Sequence, residues 1–326
     1  MKRPGFREEQ DRGCMTLFIR AGYFVRMLLR YPSMANLKRL PLDLYRPIIS
    51  YLEGNQDLLT LCRTSREWWL ESHRALFRHV KLRGGIRLKS WTKAVLNSPR
   101  TAALTRAITL PTRAYLTKSD KAALAKALSR VVNLRELYIS HAMTLDSLRA
   151  YLDPWVLECC SKELRVFHSE LQESEAGFEA YSVFFRDHSQ ISRLYWARSD
   201  DGSLIDSRSL HCLTTVRLED WRVLNVLIPR SISRICIGGV DMSRDEITLF
   251  AECLSQFKDT LTHLRVGVQD ASVLGYDFSV VDVVYLLGKS IPKLNFLNIS
   301  GDTILVQLFS FYDASFYLPN CPAFRL

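Results

Sequence analysis

The sequence predicts an α/β fold in which a small all-α helical hairpin is followed by a solenoid of parallel strands with helices on its convex side. Three observations lead to this prediction: a short apolar phrase recurs from residue 77 onward, the segments between its copies have helical apolar spacing, and residues 40–69 form compact amphipathic helices ahead of it. We divide the chain into an extension at 1–36, a helical domain at 37–80 and a repeat domain at 81–326.

The extension at 1–36 is expected to be flexible or loosely helical. Apolar side chains between Leu17 and Leu28 share one helical face, which is compatible with an amphipathic helix. A mitochondrial presequence is the alternative, but the acids among the first eleven residues argue against it, because such peptides are poor in acids. Arginines interrupt the apolar stretch from Met15 to Tyr31, so it is not a membrane-spanning helix.

The helical domain carries apolar residues at the spacing of one helical face. Leu44, Ile48 and Leu52 repeat every fourth residue, and the pattern resumes after a break. Asp57 and Ser65 are expected to cap helix N-termini, because their short side-chain oxygens can accept hydrogen bonds from free backbone N–H groups. Such helices expose more apolar surface than they can bury alone, which is typical of a partner surface.

This segment resembles an F-box. The matching elements follow the family's order: Leu40-Pro41, Asp43-Leu44, Ile48, Tyr51-Leu52, Asp57-Leu58, Thr64-Ser65-Arg66 and Trp68. Pro47 departs from the pattern, since it removes a backbone donor, and the regular helix is expected to start there rather than at Leu42.

The resemblance implies a docking module. F-box proteins bind a Skp-type adaptor, which attaches them to a cullin–RING ubiquitin ligase, while the rest of the chain selects the target protein. The residues that would bind the adaptor are Leu40, Pro41, Leu44, Ile48, Leu52, Leu58, Leu61 and Trp68. The alternative is a protein-interaction scaffold whose hairpin only caps the following domain. Ile48 and Leu58 would then be buried, whereas docking would leave them exposed.

The recurring phrase has the form apolar-x-x-apolar-x-apolar. Its copies start at irregular intervals of 19 to 33 residues, at Phe77, Leu104, Leu134, Leu164, Ile191, Leu213, Ile232, Leu261, Leu294 and Cys321. This form resembles degenerate leucine-rich repeats, in which each phrase supplies a strand and a helix or loop returns on the outside. The last copy is unfinished and has no visible capping unit.

The segments between the phrases predict the returning elements. Helical apolar spacing covers 119–132, 144–157, 175–187, 243–257 and 279–289, with a capping box at Ser243–Glu246. The short steps around Leu213 and Ile232 leave room only for a turn or a short helix. The stretch from Arg198 to Ser209, rich in Ser, Asp and Gly, is expected to be an exposed loop.

Polar and aromatic residues flank the second anchor of many phrases, and strand alternation directs them to the concave face. They are Glu136, Tyr138, His168, Arg193, Tyr195, Arg217, Glu219, Arg234, His263 and Arg265. We expect Tyr138, Arg193, Tyr195, Arg217, Arg234, His263 and Arg265 to bind the target. The arginines suit an acidic or phosphorylated segment, and the alternative is a solvated face without a ligand.

Composition excludes several other classes. The net charge of +10 is concentrated in residues 1–100, but no aromatic array for base stacking is evident, so nucleic acid is an unlikely partner. Eight cysteines without Cys-x-x-Cys spacing indicate a reduced, intracellular protein, cytoplasmic or nuclear. Gly288-Lys289-Ser290 lacks the first glycine of a phosphate-binding loop, and the histidines have no ligand spacing. We expect no enzyme active site, metal or cofactor.

Overall fold

The structure is a computed structural model. It describes residues 42–52, 55–82, 85–111, 117–140, 157–170, 178–197, 205–206, 208–228, 230–240, 244–268, 280–300 and 305–309. The chain forms two compact units, residues 1–80 and 81–326. The predicted extension at 1–36 lies outside the described residues.

The first unit contains three short helices: α1 (Leu42–Ser50), α2 (Asn55–Leu61) and α3 (Arg66–Arg78). Its core is small. Ile49 of α1 meets Leu58 and Leu61 of α2, with partly buried side chains of Leu52, Trp68, Ala75 and Leu76 packed around them. Helix α3 contacts both other helices and so completes the unit.

The helix starts differ in part from those predicted. Ser65 caps α3 as predicted, since its Oγ accepts a hydrogen bond from the Trp68 N–H at 3.3 Å. The cap predicted at Asp57 is wrong, because α2 begins at Asn55 and Asp57 lies in the first turn. The start predicted at Pro47 is also wrong: α1 begins at Leu42 and passes through the proline. Pro47 has no backbone N–H, so α1 lacks the hydrogen bond that this residue would otherwise donate to the carbonyl four positions earlier.

The second unit contains nine of the ten strands of a sheet whose strands lie side by side in chain order. Strands β2 to β9 are parallel to their neighbours, and β10 is antiparallel to β9. The strands are β1 (His79–Lys81), β2 (Ala107–Pro111), β3 (Glu136–Ser140), β4 (Val166–Ser169), β5 (Arg193–Trp196), β6 (Thr215–Leu218), β7 (Arg234–Val240), β8 (His263–Val268), β9 (Phe296–Ser300) and β10 (Leu305–Phe309). The chain is therefore an α/β protein with one largely parallel sheet, compatible with a solenoid.

Helices connect the strands. They are α4 (Gly85–Asn97), α5 (Pro99–Leu104), α6 (Lys118–Arg130), α7 (Phe178–Asp187), α8 (Arg244–Ser255) and α9 (Val280–Ser290). The helices predicted over 119–132, 175–187, 243–257 and 279–289 are confirmed, while the one over 144–157 lies almost wholly outside the described residues. A 3₁₀ helix at Trp221–Leu227 fills the short step before Ile232, as predicted.

The capping box that the structure shows begins α6. The Thr117 Oγ1 accepts from the Asp120 N–H at 3.1 Å, and the Asp120 carboxylate accepts from the Thr117 N–H at 3.2 Å. Of the box predicted at Ser243–Glu246, Ser243 lies outside the described residues. The side chain of Glu246 accepts a hydrogen bond from Arg222 of the 3₁₀ helix at 2.5 Å.

A continuous row of apolar side chains aligns the strands. The second anchors of the phrases from Leu134 onward occupy the same register position as Ile108 and are, like it, almost completely buried: Leu137, Phe167, Leu194, Val216, Ile235, Leu264 and Leu297. Each strand covers its neighbour's anchor, so no strand buries its apolar face alone. We call these anchors, together with Ile108, the inner row. The phrase start predicted at Leu104 is wrong by one residue, because its second anchor would be Ala107, which lies beside Glu136.

One loop prediction is wrong in part. In the stretch from Arg198 to Ser209, predicted to be exposed, the structure describes residues 205, 206, 208 and 209. Asp206 and Arg208 are exposed, but Ile205 and Ser209 are buried. The cause is Arg230, a buried residue whose guanidinium donates to the carbonyls of Ser209 at 2.8 Å and Asp206 at 2.7 Å. Those bonds satisfy carbonyls that water would otherwise hydrate. Burial lowers the pKa of Arg230.

The sheet also has one strand beyond β9, and β9 is the last strand that a phrase within the described residues supplies. Strand β10 pairs along all five of its residues with β9, from Leu305 beside Ser300 to Phe309 beside Phe296. It therefore covers the edge of β9 that a parallel series would leave unpaired. The unfinished phrase at Cys321 lies outside the described residues.

Replacing Phe167 by alanine is expected to destabilise the second unit strongly. Its side chain is fully buried, with ring centroids 4.8 Å from Phe184 and 5.9 Å from Phe185. The lost contacts and the remaining cavity predict a loss of about 3–5 kcal/mol in the free energy of unfolding. Urea denaturation followed by circular dichroism measures it, with the exposed Val132→Ala as the control. A loss equal to that of the control would contradict the assigned core.

Candidate functional site

The first unit exposes large apolar side chains. Leu44 is 42% exposed and Ile48, four residues later on α1, is half-buried. Tyr51 and Leu59, which were not among the predicted adaptor residues, are each 46% exposed. We call Leu44, Ile48, Tyr51 and Leu59 the exposed apolar set.

The other predicted adaptor residues lie further inside the unit. Leu58 and Leu61 are part of its core, and Leu52 packs against that core. Trp68 also packs there, with its ring 4.4 Å from the ring of Tyr45. These four side chains fix the arrangement of the helices and support the exposed apolar set. Leu40 and Pro41 lie outside the described residues.

The burial of Ile48 and Leu58 was expected to distinguish a hairpin that caps the next domain from one that docks a partner, but it does not distinguish them. Leu58 is only 6% exposed, but the residues that cover it, Ile49 and Leu61, belong to its own unit. Its burial therefore follows from the folding of the hairpin and not from a cap. Ile48 is half-buried and favours neither alternative.

The second unit brings the predicted target-binding residues onto one face of the sheet. Two register rows flank the inner row and, because strand side chains alternate, both point to the opposite face. We call this surface the outer face. The first row contains Glu136, Val166, Arg193, Thr215, Arg234, His263 and Phe296, and the second contains Tyr138, His168, Tyr195, Arg217, Cys236, Arg265 and Asn298.

Helix α7 packs on the side of the sheet opposite the outer face. Phe184 and Phe185 of α7 pack on Phe167 of the inner row. The outer-face residues of β4 and β5 are therefore turned away from this helix. Val166 is buried, but His168 and Tyr195 are half-buried and Arg193 is exposed, so these three are available for contact.

Aromatic rings form a ladder along the second row. Tyr138 and His168 have ring centroids 5.8 Å apart, and His168 and Tyr195 are 3.9 Å apart. The guanidinium of Arg217 continues the ladder, 4.5 Å from the centre of the Tyr195 ring. This cation–π contact orients Arg217 against the sheet.

Carboxylates hold the ladder in place. The hydroxyl of Tyr138 donates to Glu136 at 2.7 Å, and the hydroxyl of Tyr195 donates to Glu219 at 3.0 Å. His168 Nε2 lies 2.9 Å from a carboxylate oxygen of Glu170. The acids of this face are thus engaged with tyrosine and histidine.

The environment shifts several pKa values. Burial, reinforced by the hydrogen bond to Glu219, raises the pKa of Tyr195 to about 12. Burial together with Glu136 raises the pKa of Tyr138 to about 12 as well. Burial lowers the pKa of His168 in spite of Glu170, and burial with the nearby Arg234 lowers the pKa of His263. Both histidines therefore favour the neutral form at neutral pH.

Gly238 provides the space in which Glu219 lies. A Cβ at this position would come within 2.0 Å of the Glu219 carboxylate, which is not a tolerable contact. The glycine follows the regular part of the β7–β8 pairing, where the register shifts between Ile237 and Val240. A side chain here would push Glu219 away from Tyr195.

Sequence analysis predicted most residues of this face correctly but did not predict which of them contact one another. Strand parity alone identifies the arginines, Tyr138 and Tyr195. The same parity also selects Cys236 and Asn298, which were not among the predicted residues. The bond from Tyr195 to Glu219 joins residues on two strands, and only the register between those strands reveals it.

Two general features of the described part of the chain bear on function. None of its helices has the length and apolar character needed to cross a membrane. Across the same residues, no three His, Cys, Asp or Glu side chains lie close enough together to hold a metal ion. Gly288-Lys289-Ser290 ends α9, as predicted for a helix end.

Comparison with known proteins adds no family. Neither a search against protein-family models nor a search of curated proteins finds a match to this chain.

Replacing Glu219 by glutamine is expected to lower the pKa of Tyr195, because the phenolate would no longer form beside a negative charge. The pKa of Tyr138, which depends on Glu136, should not change and serves as the internal control. Ring-labelled tyrosine NMR against pH, assigned with Tyr195→Phe, measures both values. An unchanged Tyr195 pKa would contradict the bond to Glu219.

The same pKa shift predicts a pH dependence of stability. A folded-state pKa of about 12, above the ordinary 10, means that Tyr195 stabilises the fold fully below pH 10 and loses this contribution between pH 10 and 12. Tyr195→Phe should therefore weaken the decline in urea midpoint across this range. An identical decline in both proteins would contradict the prediction.

Proposed function

We propose that this protein is the substrate-recognition subunit of a Skp–cullin–F-box ubiquitin ligase. The observation that carries the proposal is the first unit, in which the segment with the F-box-like motif folds into three helices around a very small core. It leaves Leu44, Tyr51 and Leu59 exposed. Apolar residues of this size, exposed on a compact helical unit, are typical of a docking surface. The F-box would bind a Skp-type adaptor and through it a cullin–RING ligase.

The second unit would bind the target protein as a set of degenerate leucine-rich repeats. Nine phrases within the described residues each supply one strand, and eight of these strands are joined in parallel pairs in chain order. A solenoid of this kind presents one residue row per strand, and it offers a partner a continuous surface. The ligase partners, not this chain, would carry out the transfer of ubiquitin.

The outer face favours a target segment with negative charge. Arg193, Arg217, Arg234 and Arg265 are exposed on adjacent strands. Charge-assisted hydrogen bonds from guanidinium groups to carboxylates or phosphates are strong and directional. An acidic or phosphorylated segment is therefore the target that we propose.

The proposed function also implies an intracellular protein. The described cysteines at 62, 159, 160, 212, 236 and 253 are free thiols. Free thiols in this number are typical of reducing compartments. This supports an intracellular location, where the ubiquitin ligase acts.

A Skp-type adaptor is expected to bind the full chain and to lose most of its affinity for a Leu44→Asp/Leu59→Asp variant. Each replacement puts a charge where a buried apolar contact would form, and one such anchor contributes on the order of 2 kcal/mol, roughly 30-fold in affinity. Isothermal titration calorimetry measures the change. Both residues are exposed, so circular dichroism should show an unaltered fold.

The matched control is Leu249→Asp, which introduces a charge at a 54% exposed leucine of the second unit and should bind the adaptor normally. If the folded native chain does not bind the adaptor, the proposal is wrong and the scaffold alternative takes its place. Equal binding by the native chain and the double variant would show that the exposed apolar set is not the docking surface.

A further inference from the structure

The arginines of the outer face form a regular array. Each lies on a different one of four adjacent strands, in the order Arg193, Arg217, Arg234 and Arg265. Arg193 and Arg234 share the first row, with Thr215 between them, and Arg217 and Arg265 share the second row, with Cys236 between them. The positive charges therefore alternate between two rows across β5 to β8. We call these four residues the arginine lattice.

The lattice has no protein counter-ion among the described residues. Its four members are exposed, and none of them forms an ion pair within that part of the chain. Two exposed arginines elsewhere do form ion pairs: Arg222 contacts Asp220 and Glu246, and Arg46 contacts Glu71. Four adjacent unpaired guanidinium groups repel one another and create a positive surface that an anion would stabilise.

The neighbouring carboxylates do not act as counter-ions of the lattice. The Glu219 carboxylate accepts from the Tyr195 hydroxyl while lying over Gly238. Arg217 meanwhile lies over the Tyr195 ring. The ladder therefore holds both Arg217 and Glu219 at Tyr195, and no ion pair joins these two described residues.

The spacing of the lattice fits an extended peptide. Neighbouring strands are about 4.8 Å apart, so arginines two strands apart in one row are separated by about 10 Å. Residues three apart in a polyproline II chain lie on the same side and about 9 Å apart, because this extended conformation has three residues per turn and a rise of about 3.1 Å per residue. A peptide that crosses the strands would meet successive arginines of one row at every third residue.

Nucleic acid fits this face less well. Base stacking needs free ring faces, but Tyr195 is covered by Arg217 and by His168, and His168 is also next to Tyr138. A nucleic-acid backbone carries a phosphate at every nucleotide and would bring some of them against Glu136, Glu170 and Glu219, which border the same rings, whereas a peptide with two phosphates can keep both at the arginines. The lattice alone remains available, and it suits separate charges on a peptide.

We propose that the arginine lattice binds an extended peptide that carries two phosphorylated side chains three residues apart. This deepens the proposed function, because it rests on the second unit binding the target and specifies the target's chemistry. One phosphate would lie between guanidinium groups at Arg193 and Arg217, and the other at Arg234 and Arg265. Phosphate is preferred over carboxylate since its charge is larger and it offers more acceptor oxygens.

Fluorescence anisotropy with the full chain tests this proposal. The probe is a labelled glycine–alanine–serine peptide with two phosphoserines three residues apart. The comparison peptides carry the phosphoserines side by side, or none. We expect the spaced probe to bind roughly tenfold more tightly than the adjacent one, and the unphosphorylated peptide not to bind measurably.

The variant is Arg217→Gln/Arg234→Gln, which removes one charge from each row and should weaken the spaced probe at least about tenfold. The matched control, Arg186→Gln/Lys258→Gln, removes the same charge from exposed positions outside the outer face and should bind as the native chain does. Equal weakening in both variants would show only a general effect of net charge and would overturn the proposal.

Other results would also overturn it. These are equal affinity for the spaced and adjacent peptides, or a single-stranded RNA oligonucleotide that binds more tightly than the spaced probe and displaces it. The assay contains no adaptor, so its failure is separate from a failure of adaptor binding. Peptide binding without adaptor binding would leave the lattice assignment intact and refute the ligase role.

Discussion

The inner row is the constraint on which the second unit depends. Each strand is short, and its central apolar side chain is buried by the equivalent side chains of the neighbouring strands and, at Phe167, by α7 as well. This requirement fixes the register, because a shift by one residue would exchange the buried and exposed sides of a strand. The same register then aligns the outer rows. The lattice and the ladder are therefore consequences of packing on the opposite side of the sheet.

The sequence predicts this architecture because its strongest pattern is also the physical determinant. The phrases at Leu134, Leu261 and Leu294 each lead directly into a strand, since their apolar spacing is the spacing of a strand with one buried side. Strand β10 escapes prediction because it is antiparallel and follows a different pattern. The burial of Ser209 escapes as well, because it depends on Arg230, a residue 21 positions later in the chain.

At the candidate sites, too, the sequence predicts the features that follow from local spacing but not those that depend on distant residues. Helical spacing identifies Leu44 and Ile48, but it cannot tell that Leu58 turns inward while Leu59 stays exposed, since that choice is made by packing with α1 and α3. Strand parity finds the arginines of the lattice. It does not find the contact of Arg217 with the Tyr195 ring or the engagement of Glu219, because both depend on which strands become neighbours. Local sequence patterns predict which way a side chain points, whereas the pairing of strands and helices determines which residues it contacts.

The most direct test of the arrangement of the outer face is the reactivity of the native Cys236. The register places it between Arg217 and Arg265, which are 19 residues before it and 29 residues after it in the chain. An anionic thiol reagent should therefore react with Cys236 faster than a cationic reagent of equal size, by about sevenfold for a local potential of about one kT. The half-buried Cys212 serves as the internal reference, and mass spectrometry reads out both sites. The preference should decrease in Arg217→Gln/Arg265→Gln, and equal rates for the two reagents at Cys236 would contradict the arrangement of the outer face.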